Sequence, residues 1–207
     1  MIKAYVNGLS PNSRKVIATG HYLKLPIEWK TLDFSKGEHT TPEFEKINPN
    51  KKMPAIADGN FNLWESNAIC CYFGELSQDE KFYPREMKAR MDLLRWLNWE
   101  ECHFGRWSAR IAFENFIKPN FGMGAANEAA VKEATEFFHQ FAKILDAQLT
   151  KGNYVTGAHL TVADFAIAAH LTYAESAKIP IGEYKNIVNW RRSLDEISAW
   201  KESAPTK

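Results

Sequence analysis

The segment Pro54-Ala-Ile-Ala-Asp-Gly-Asn-Phe-Asn-Leu63 decides the fold of the first half of the chain. It predicts two short strands joined at Asp58-Gly59, because this dipeptide accepts the positive φ angles of a tight hairpin turn. A helix is predicted directly after it, over Ser66–Leu76. The segment therefore belongs to a ββα unit.

A βαβ unit is predicted ahead of this hairpin. Ile2–Val6 and Ile27–Leu32 have the patterns of strands. Between them, helical spacing is kept by Val16, Ile17, Gly20 and Leu23. The polar stretch Asp33–Lys52 predicts a loop with about one turn of helix. The order βαβ and then ββα is that of a thioredoxin-like domain, which we place at residues 1–78.

No strand pattern follows, and the rest of the chain predicts helices. A linker over 79–88 contains Pro84 and breaks the periodicity. Beyond it, an amphipathic pattern covers Val131–Leu149. Earlier helical spacing is kept by Met87, Met91, Leu94, Leu97, Trp96, Trp99, Phe104 and Trp107. We predict an α/β thioredoxin-like N-terminal domain plus an all-α C-terminal helical bundle over 89–207.

The centre of this bundle is predicted at Val162–Leu171, which is apolar on every side. Thr161 precedes it and Asp164 lies three residues further on. This pair is a variant of the capping box in which Asp replaces the usual Glu or Gln. The motif marks the start of a buried helix.

Composition favours a small-molecule ligand. Lys and Arg number 26 against 25 Asp and Glu, and both signs are interspersed, which argues against nucleic acid or an anionic membrane as partner. No signal peptide or membrane-length apolar stretch is found. Cys70, Cys71 and Cys102 have neither disulfide nor metal-ligand spacing. We therefore expect a soluble cytoplasmic protein without a metal.

The loop after the first strand, Ser10-Pro11-Asn12-Ser13, has two interpretations. Serine is a favoured helix N-cap and proline a favoured first helical residue, so the motif needs no chemistry. A capping hydroxyl nevertheless keeps its own hydrogen to donate, and the helix end favours an anion. A thiol whose pKa is ordinarily about 8.5 becomes reactive when such donors stabilise its thiolate.

Two further motifs also have a structural and a functional interpretation. Pro54 after Met53 suits the first residue of a strand; alternatively, a cis bond turns the backbone N–H and C=O of Met53 towards a peptide-like ligand. Ser66 suits a helix cap; alternatively, Ser66 binds a carboxylate and Glu65 an ammonium group. That second combination suits the α-amino acid end of a ligand.

Together these motifs resemble the cytosolic glutathione transferase superfamily, and the resemblance covers the whole chain. The Ser-x-x-Ser-Arg-Lys-Val run from Ser10 is similar to the serine motif of its phi- and theta-like classes. The phi-like pattern is also resembled by Lys36-Gly37-Glu38-His39, Pro42-Glu43-Phe44, Asn48-Pro49 and Met53-Pro54. The resemblance implies an enzyme that activates the glutathione thiolate for attack on a small hydrophobic electrophile, and it implies a homodimer.

The contacts with glutathione that the resemblance implies are Ser10 to the sulfur, His39 to the glycine carboxylate, Lys52 nearby, Met53 through its backbone, and Glu65 and Ser66 to the γ-glutamyl end. Glutathione is then a substrate, and neither a metal nor another cofactor is needed. Lys52 stands where many relatives have Gln.

A rival resemblance concerns the same loop. Ser10-Pro11-Asn12 is also similar to the Thr-Pro-Asn of the nu-like branch, in which the asparagine contacts the sulfur and disulfide reduction is prominent. Trp99-Glu-Glu-Cys-His-Phe-Gly105 resembles a helix of that branch. A glutathione-dependent disulfide oxidoreductase is therefore the alternative enzyme, with Asn12 in place of Ser10. A binding module without turnover is the alternative from another class.

The electrophile site is predicted on the first helices of the second domain, where they face the Ser10 loop. Phe104, Trp107 and Ile111 are three and four residues apart on one helix face. Phe113 and Phe116 are weaker candidates. Each of these side chains has core packing as the alternative, and Trp107 is favoured because an exposed ring stacks on an aromatic electrophile.

Overall fold

The computed structural model describes residues 1–205 and divides the chain into two compact units. Unit 1 contains Met1–Tyr83 together with the described residues from Glu196 onward, and unit 2 contains Pro84–Asp195. The sequence placed everything after residue 88 in the helical domain. The segment from Glu196 instead packs with unit 1, because its helix lies against the first helix of the chain.

Within residues 1–205, unit 1 holds one four-stranded sheet in the order β2-β1-β3-β4. The strands are β1 (Ile2–Val6), β2 (Ile27–Thr31), β3 (Ala55–Asp58) and β4 (Phe61–Trp64). β1 is parallel to β2 and antiparallel to β3, and β3 is antiparallel to β4. This confirms the thioredoxin-like topology.

The hairpin turn lies one residue later than predicted. Asp58 pairs with Phe61, so the two-residue loop is Gly59-Asn60 rather than Asp58-Gly59. Gly59 has φ +58°, a conformation in which a residue with a Cβ is disfavoured. The glycine was the correct signal, and strand pairing decided which neighbour joins it in the loop.

The helices of unit 1 flank this sheet. They are α1 (Pro11–Tyr22), α2 (Pro42–Glu45), α3 (Ser66–Leu76) and α10 (Ser198–Glu202), with a 3₁₀ turn at Glu38–Thr40. α3 has the predicted bounds, and α1 packs against both α3 and α10. The Arg14 guanidinium lies 3.8 Å from the centre of the Trp200 ring, a cation–π contact that joins α1 to α10.

Unit 2 is helical, as predicted. Its helices are α4 (Met87–Trp99), α5 (Gly105–Ala112), α6 (Lys118–Asn120), α7 (Glu128–Gln148), α8 (Val162–Ala169) and α9 (Lys185–Leu194), with a 3₁₀ turn at Ile181–Glu183. Every residue of α8 is buried, which confirms the central helix. Within the described residues, no helix is long and apolar enough to cross a bilayer.

Two π-helical turns that the sequence did not predict connect the first helices of unit 2. Glu100–Phe104 lies between α4 and α5, and Phe113–Ile117 lies between α5 and α6. Gly105 follows the first one, and a Cβ there would lie 2.5 Å from His170 Nε2. The glycine thus lets the His170 ring approach the helix and reach the buried Glu100 carboxylate at 3.1 Å. The requirement for glycine at position 105 is visible only from this tertiary contact.

Asp164 is the polar centre of unit 2. Its carboxylate accepts hydrogen bonds from Thr161 N, Thr161 Oγ1, Val155 N and Trp190 Nε1, at 2.9 to 3.1 Å. The predicted capping box at Thr161 is therefore present. Burial raises the pKa of the Asp164 carboxyl to about 6, while these donors lower it, so the group is ionised at neutral pH.

Replacing Asp164 by Ala is expected to destabilise the protein by at least about 3 kcal/mol, since three buried N–H groups lose their acceptor. Chemical denaturation followed by far-UV circular dichroism measures this change. Trp190→Phe removes a single donor and should cost about 1–2 kcal/mol. Glu136→Ala, at an exposed position of α7, should stay within about 0.5 kcal/mol. Equal stabilities for Asp164→Ala and Glu136→Ala would contradict the role of the carboxylate.

Candidate functional site

The register of the sheet brings the predicted glutathione residues to one edge. Val6 pairs with Thr31, Tyr5 with Ala55, and Ala55 with Trp64. The ends of β1, β2 and β4 and the start of β3 therefore lie side by side, at what we call the site edge. The connections at this edge carry Ser10 and Asn12 after β1, His39 after β2, Lys52 and Met53 before β3, and Glu65 and Ser66 after β4.

Ser10 is the N-cap of α1, and its Oγ accepts a hydrogen bond from Ser13 N at 3.3 Å. The hydroxyl uses a lone pair in this contact and keeps its hydrogen for an anion. Ser10 is half-buried at the end of a 12-residue helix whose positive dipole end favours negative charge. The structural and functional interpretations of Ser10 are thus compatible.

Asn7, which sequence reasoning missed, holds the loop that carries Ser10. Its Oδ1 accepts from Leu9 N at 2.9 Å, and its Nδ2 donates to Leu32 O at 2.9 Å. Its backbone N–H donates to Ser13 Oγ at 3.1 Å. The signal in the sequence was an Asn-Gly dipeptide directly after a strand, a pair that favours turns.

Two candidate residues carry a buried polar atom with no hydrogen-bond partner in the described part of the chain. These atoms are Asn12 Oδ1 and His39 Nδ1. The His39 ring packs edge-on against Phe34, with the ring centres 4.9 Å apart. Because buried polar groups are nearly always paired, both side chains have hydrogen-bonding capacity to offer.

Lys52 and Met53 precede β3 and differ in exposure. The Lys52 side chain is exposed and has no partner among residues 1–205, while its carbonyl accepts from Asn48 Nδ2 at 2.6 Å. Met53 is buried with Phe44 and Ala55. The Met53-Pro54 peptide bond is cis, which is the second of the two interpretations that the sequence left open for this motif.

Glu65 and Ser66 form the entry to α3. Glu65 is exposed and has φ +72° and ψ +115°, an unfavourable conformation for a residue with a Cβ. Ser66 is the buried first residue of the helix. The N–H groups of this first turn have no intrahelical acceptor, so they suit a carboxylate.

The three electrophile candidates divide between core and surface. Phe104 is fully buried and stacks on Trp99 with ring centres 5.6 Å apart, and Ile111 is 1% exposed. These two side chains therefore pack in the hydrophobic core, which was the alternative to contact with an electrophile. Trp107 is half-buried, stacks on Phe137 with ring centres 4.3 Å apart, and has the Arg106 guanidinium 5.0 Å from its ring centre. Of the weaker candidates, Phe113 is exposed, and Phe116 stacks on Tyr173.

The donor atoms of Glu100, Glu101 and His170 lie within 4.8 Å of one another, which is close enough to ligate a metal ion. Glu100 and His170 already bind each other, and this contact ties the first π turn to the end of α8. We therefore assign the pair to packing within unit 2.

A thioredoxin-like sheet with a cis-proline at its site edge, followed by a helical unit, defines the fold of the glutathione transferases. Two family models match the chain: "Glutathione S-transferase, N-terminal domain" over residues 2–75 and "Glutathione S-transferase, C-terminal domain" over residues 128–201. A probable glutathione S-transferase, GSTF2, of Oryza sativa subsp. japonica is 32% identical over 156 residues, covering 75% of this chain and 73% of the relative. The chain belongs to the glutathione S-transferase family.

Solved structures agree with this assignment. Glutathione transferase F7 from Populus trichocarpa superposes with a TM-score of 0.89 at 22% identity, covering 99% of this chain and 98% of that one. Glutathione S-transferase I from maize, in complex with an atrazine glutathione conjugate, has a TM-score of 0.88 at 24% identity, covering 98% and 96%. The relative from rice identifies the chain as a glutathione transferase, and these two structures show that it has the same fold.

The strained Glu65 backbone generates a prediction. Glu65→Gly should be about 1 kcal/mol more stable than Glu65→Ala, because glycine adopts φ +72° without a Cβ penalty. Comparing the urea midpoints of these two variants measures the difference. Both variants lose the carboxylate, so their KM values for glutathione should rise alike. Equal midpoints would show that Glu65 is unstrained.

Proposed function

We propose that glutathione binds along the site edge, with its sulfur at Ser10, its glycine carboxylate near His39 and Lys52, its cysteinyl backbone on Met53 and its γ-glutamyl end on Glu65 and Ser66. The observation that carries this assignment is the register of four strands, which places these separate motifs at one edge. Each contact is supported by a donor or charge of matching type.

The reaction follows from a stabilised thiolate. The Ser10 hydroxyl donates to the sulfur while the N-terminus of α1 favours its negative charge, so the thiol loses its proton to solvent at neutral pH. The thiolate then attacks an electrophilic carbon. With an aryl halide, the new C–S bond forms and the halide leaves with the electron pair of its bond.

We propose a small hydrophobic molecule as the second substrate. The conjugate in the maize structure supports this class, since it joins glutathione to an aromatic heterocycle. Trp107 is our candidate contact, because the residue is only half-buried and its ring stacks on the Phe137 ring. The three cysteines form no disulfide among residues 1–205, which is consistent with a reducing compartment, and we place the enzyme in the cytoplasm.

Asn12 supports a second candidate, a glutathione-dependent disulfide oxidoreductase. It is the second residue of α1 and lies two positions from Ser10 in the chain. An amide Nδ2 there would donate to a thiolate as a hydroxyl does. The two candidates differ in which side chain holds the sulfur.

Ser10→Ala is expected to lower kcat/KM for glutathione with an aryl halide roughly 100-fold, because the thiolate loses its donor. The acid limb of the pH profile should move to higher pH for the same reason. Asn12→Ala should change both quantities by less than about threefold. Steady-state kinetics between pH 5.5 and about 8.5 measure both effects.

A control separates catalysis from helix capping. Asn127 caps α7 by accepting from Ala130 N at 3.1 Å, so Asn127→Ala also removes a cap and costs about 1 kcal/mol of stability. It should leave the pH profile unchanged. If Asn12→Ala abolishes turnover and Ser10→Ala does not, Asn12 is the residue that holds the glutathione thiolate. Turnover on a mixed disulfide then becomes the expected main activity.

We further propose a homodimer, supported by apolar side chains that remain exposed in each unit. Phe61 and Trp64 lie on the edge strand β4 of unit 1. In unit 2, Met91 and Ile144 are exposed, and Ile144 lines a groove of about 520 Å³ between α4 and α7. Association surfaces are rich in exposed apolar side chains, and these four residues are our candidates for the contact.

Sedimentation equilibrium should therefore give about twice the chain mass of 23.7 kDa. Met91→Lys combined with Ile144→Lys should shift the protein towards the monomer, because two charges would enter an apolar interface. Met123→Lys adds a charge at an exposed methionine outside the helices and should leave the mass unchanged. A wild-type protein of single-chain mass at micromolar concentration would contradict the dimer.

A further inference from the structure

Unit 1 contains a lysine that is completely buried. Lys15 lies on α1 with 0% of its surface exposed, and it is among the largest fully buried side chains. Lysine is almost never buried in this way unless polar groups meet its ammonium. Lys15 Nζ donates to Asn67 Oδ1 at 3.0 Å. Asn67 is the second residue of α3 and follows Ser66 directly.

The position of this contact matters because α1 and α3 both begin at the site edge. α1 starts just after β1 ends, and α3 starts directly after β4 ends, at paired ends of the sheet. Lys15 therefore lies in the second turn of the helix that Ser10 caps, and it contacts the first turn of the helix that Ser66 begins. The contact joins the proposed sulfur end of the site to the proposed γ-glutamyl end.

The electrostatics of the contact favour an anion at α3. The Asn67 amide oxygen takes one of the three ammonium hydrogens without cancelling the charge. The N–H groups of the first turn of α3 and its helix dipole add positive potential at the same place. A carboxylate at Ser66 gains from all of these terms, and burial away from water strengthens them.

We propose that Lys15 is a positioning residue for the γ-glutamyl carboxylate of glutathione, acting through Asn67 and through its charge. The inference rests on the proposed function, in which that carboxylate lies at Ser66. It predicts that Lys15 contributes to the selection of glutathione over thiols that lack the γ-glutamyl group. The side chain itself contacts neither the sulfur nor the electrophile.

The test compares two thiols, glutathione and cysteinylglycine, with one aryl halide. Lys15→Met should lower kcat/KM for glutathione about tenfold or more and leave the value for cysteinylglycine within about twofold. Lys15→Arg should restore most of the preference for glutathione, because it keeps the charge. A purely structural role of Lys15 would lower both values equally, and that result would overturn the inference.

A matched control lies one turn further along the same pair of helices. Thr19 on α1 contacts Cys70 Sγ on α3 at 3.5 Å, next to the contact of Lys15 with Asn67. Thr19→Val therefore disturbs the packing of α1 on α3 without removing charge. It should leave the preference for glutathione unchanged, and a loss like that of Lys15→Met would overturn the inference.

A second variant keeps the test decisive if Lys15→Met does not fold. Asn67→Asp retains an acceptor for the ammonium but adds a negative charge, so it should also reduce the preference for glutathione about tenfold. An unchanged preference in Asn67→Asp would overturn the inference. A wild-type enzyme with no preference for glutathione over cysteinylglycine would instead overturn the proposed function on which it rests.

Discussion

The pairing of β1 with both of its neighbours is the constraint on which the proposed glutathione site depends. β1 is parallel to β2 and antiparallel to β3, so the end of one neighbour and the start of the other meet at the same edge. A register slip of one residue would turn every side chain of a strand to the other face. The buried positions of β1, which are Ile2, Ala4 and Val6, prevent such a slip because they alternate along the strand.

Two helix N-termini provide hydrogen-bond donors at the site edge. α1 and α3 both start there, and each brings N–H groups without intrahelical acceptors. In the proposed site, the thiolate lies at the N-terminus of α1 and the γ-glutamyl carboxylate at the N-terminus of α3, so each of these anionic groups meets a helix end that offers donors. In the proposed site, the same property of the helix ends would serve both binding and thiol activation, and individual side chains would set how well each anionic group is held.

Much of the fold could be predicted from local patterns of residues in the sequence. The hairpin before α3, the apolar helix α8 and the capping residues Thr161 and Asp164 were predictable because each depends on neighbours in the chain. The π turn after α4 was not predictable, since it depends on His170 approaching Gly105 from another helix. The same limit explains why the hairpin loop was misplaced by one residue.

The candidate site likewise contains residues that the sequence could identify and one that only the structure reveals. Ser10, Met53 and Ser66 stand in motifs with fixed neighbours, so residue types and spacing identified them. Lys15 stands in the same motif as Ser10, but the role that we propose for it depends on its burial and on Asn67, which is 52 positions away. A charged residue on an amphipathic helix is ordinarily assigned to solvent. Only the packing of α1 on α3 shows that the Lys15 ammonium is buried inside unit 1. It contacts the first turn of α3, where we propose that the γ-glutamyl carboxylate of glutathione binds.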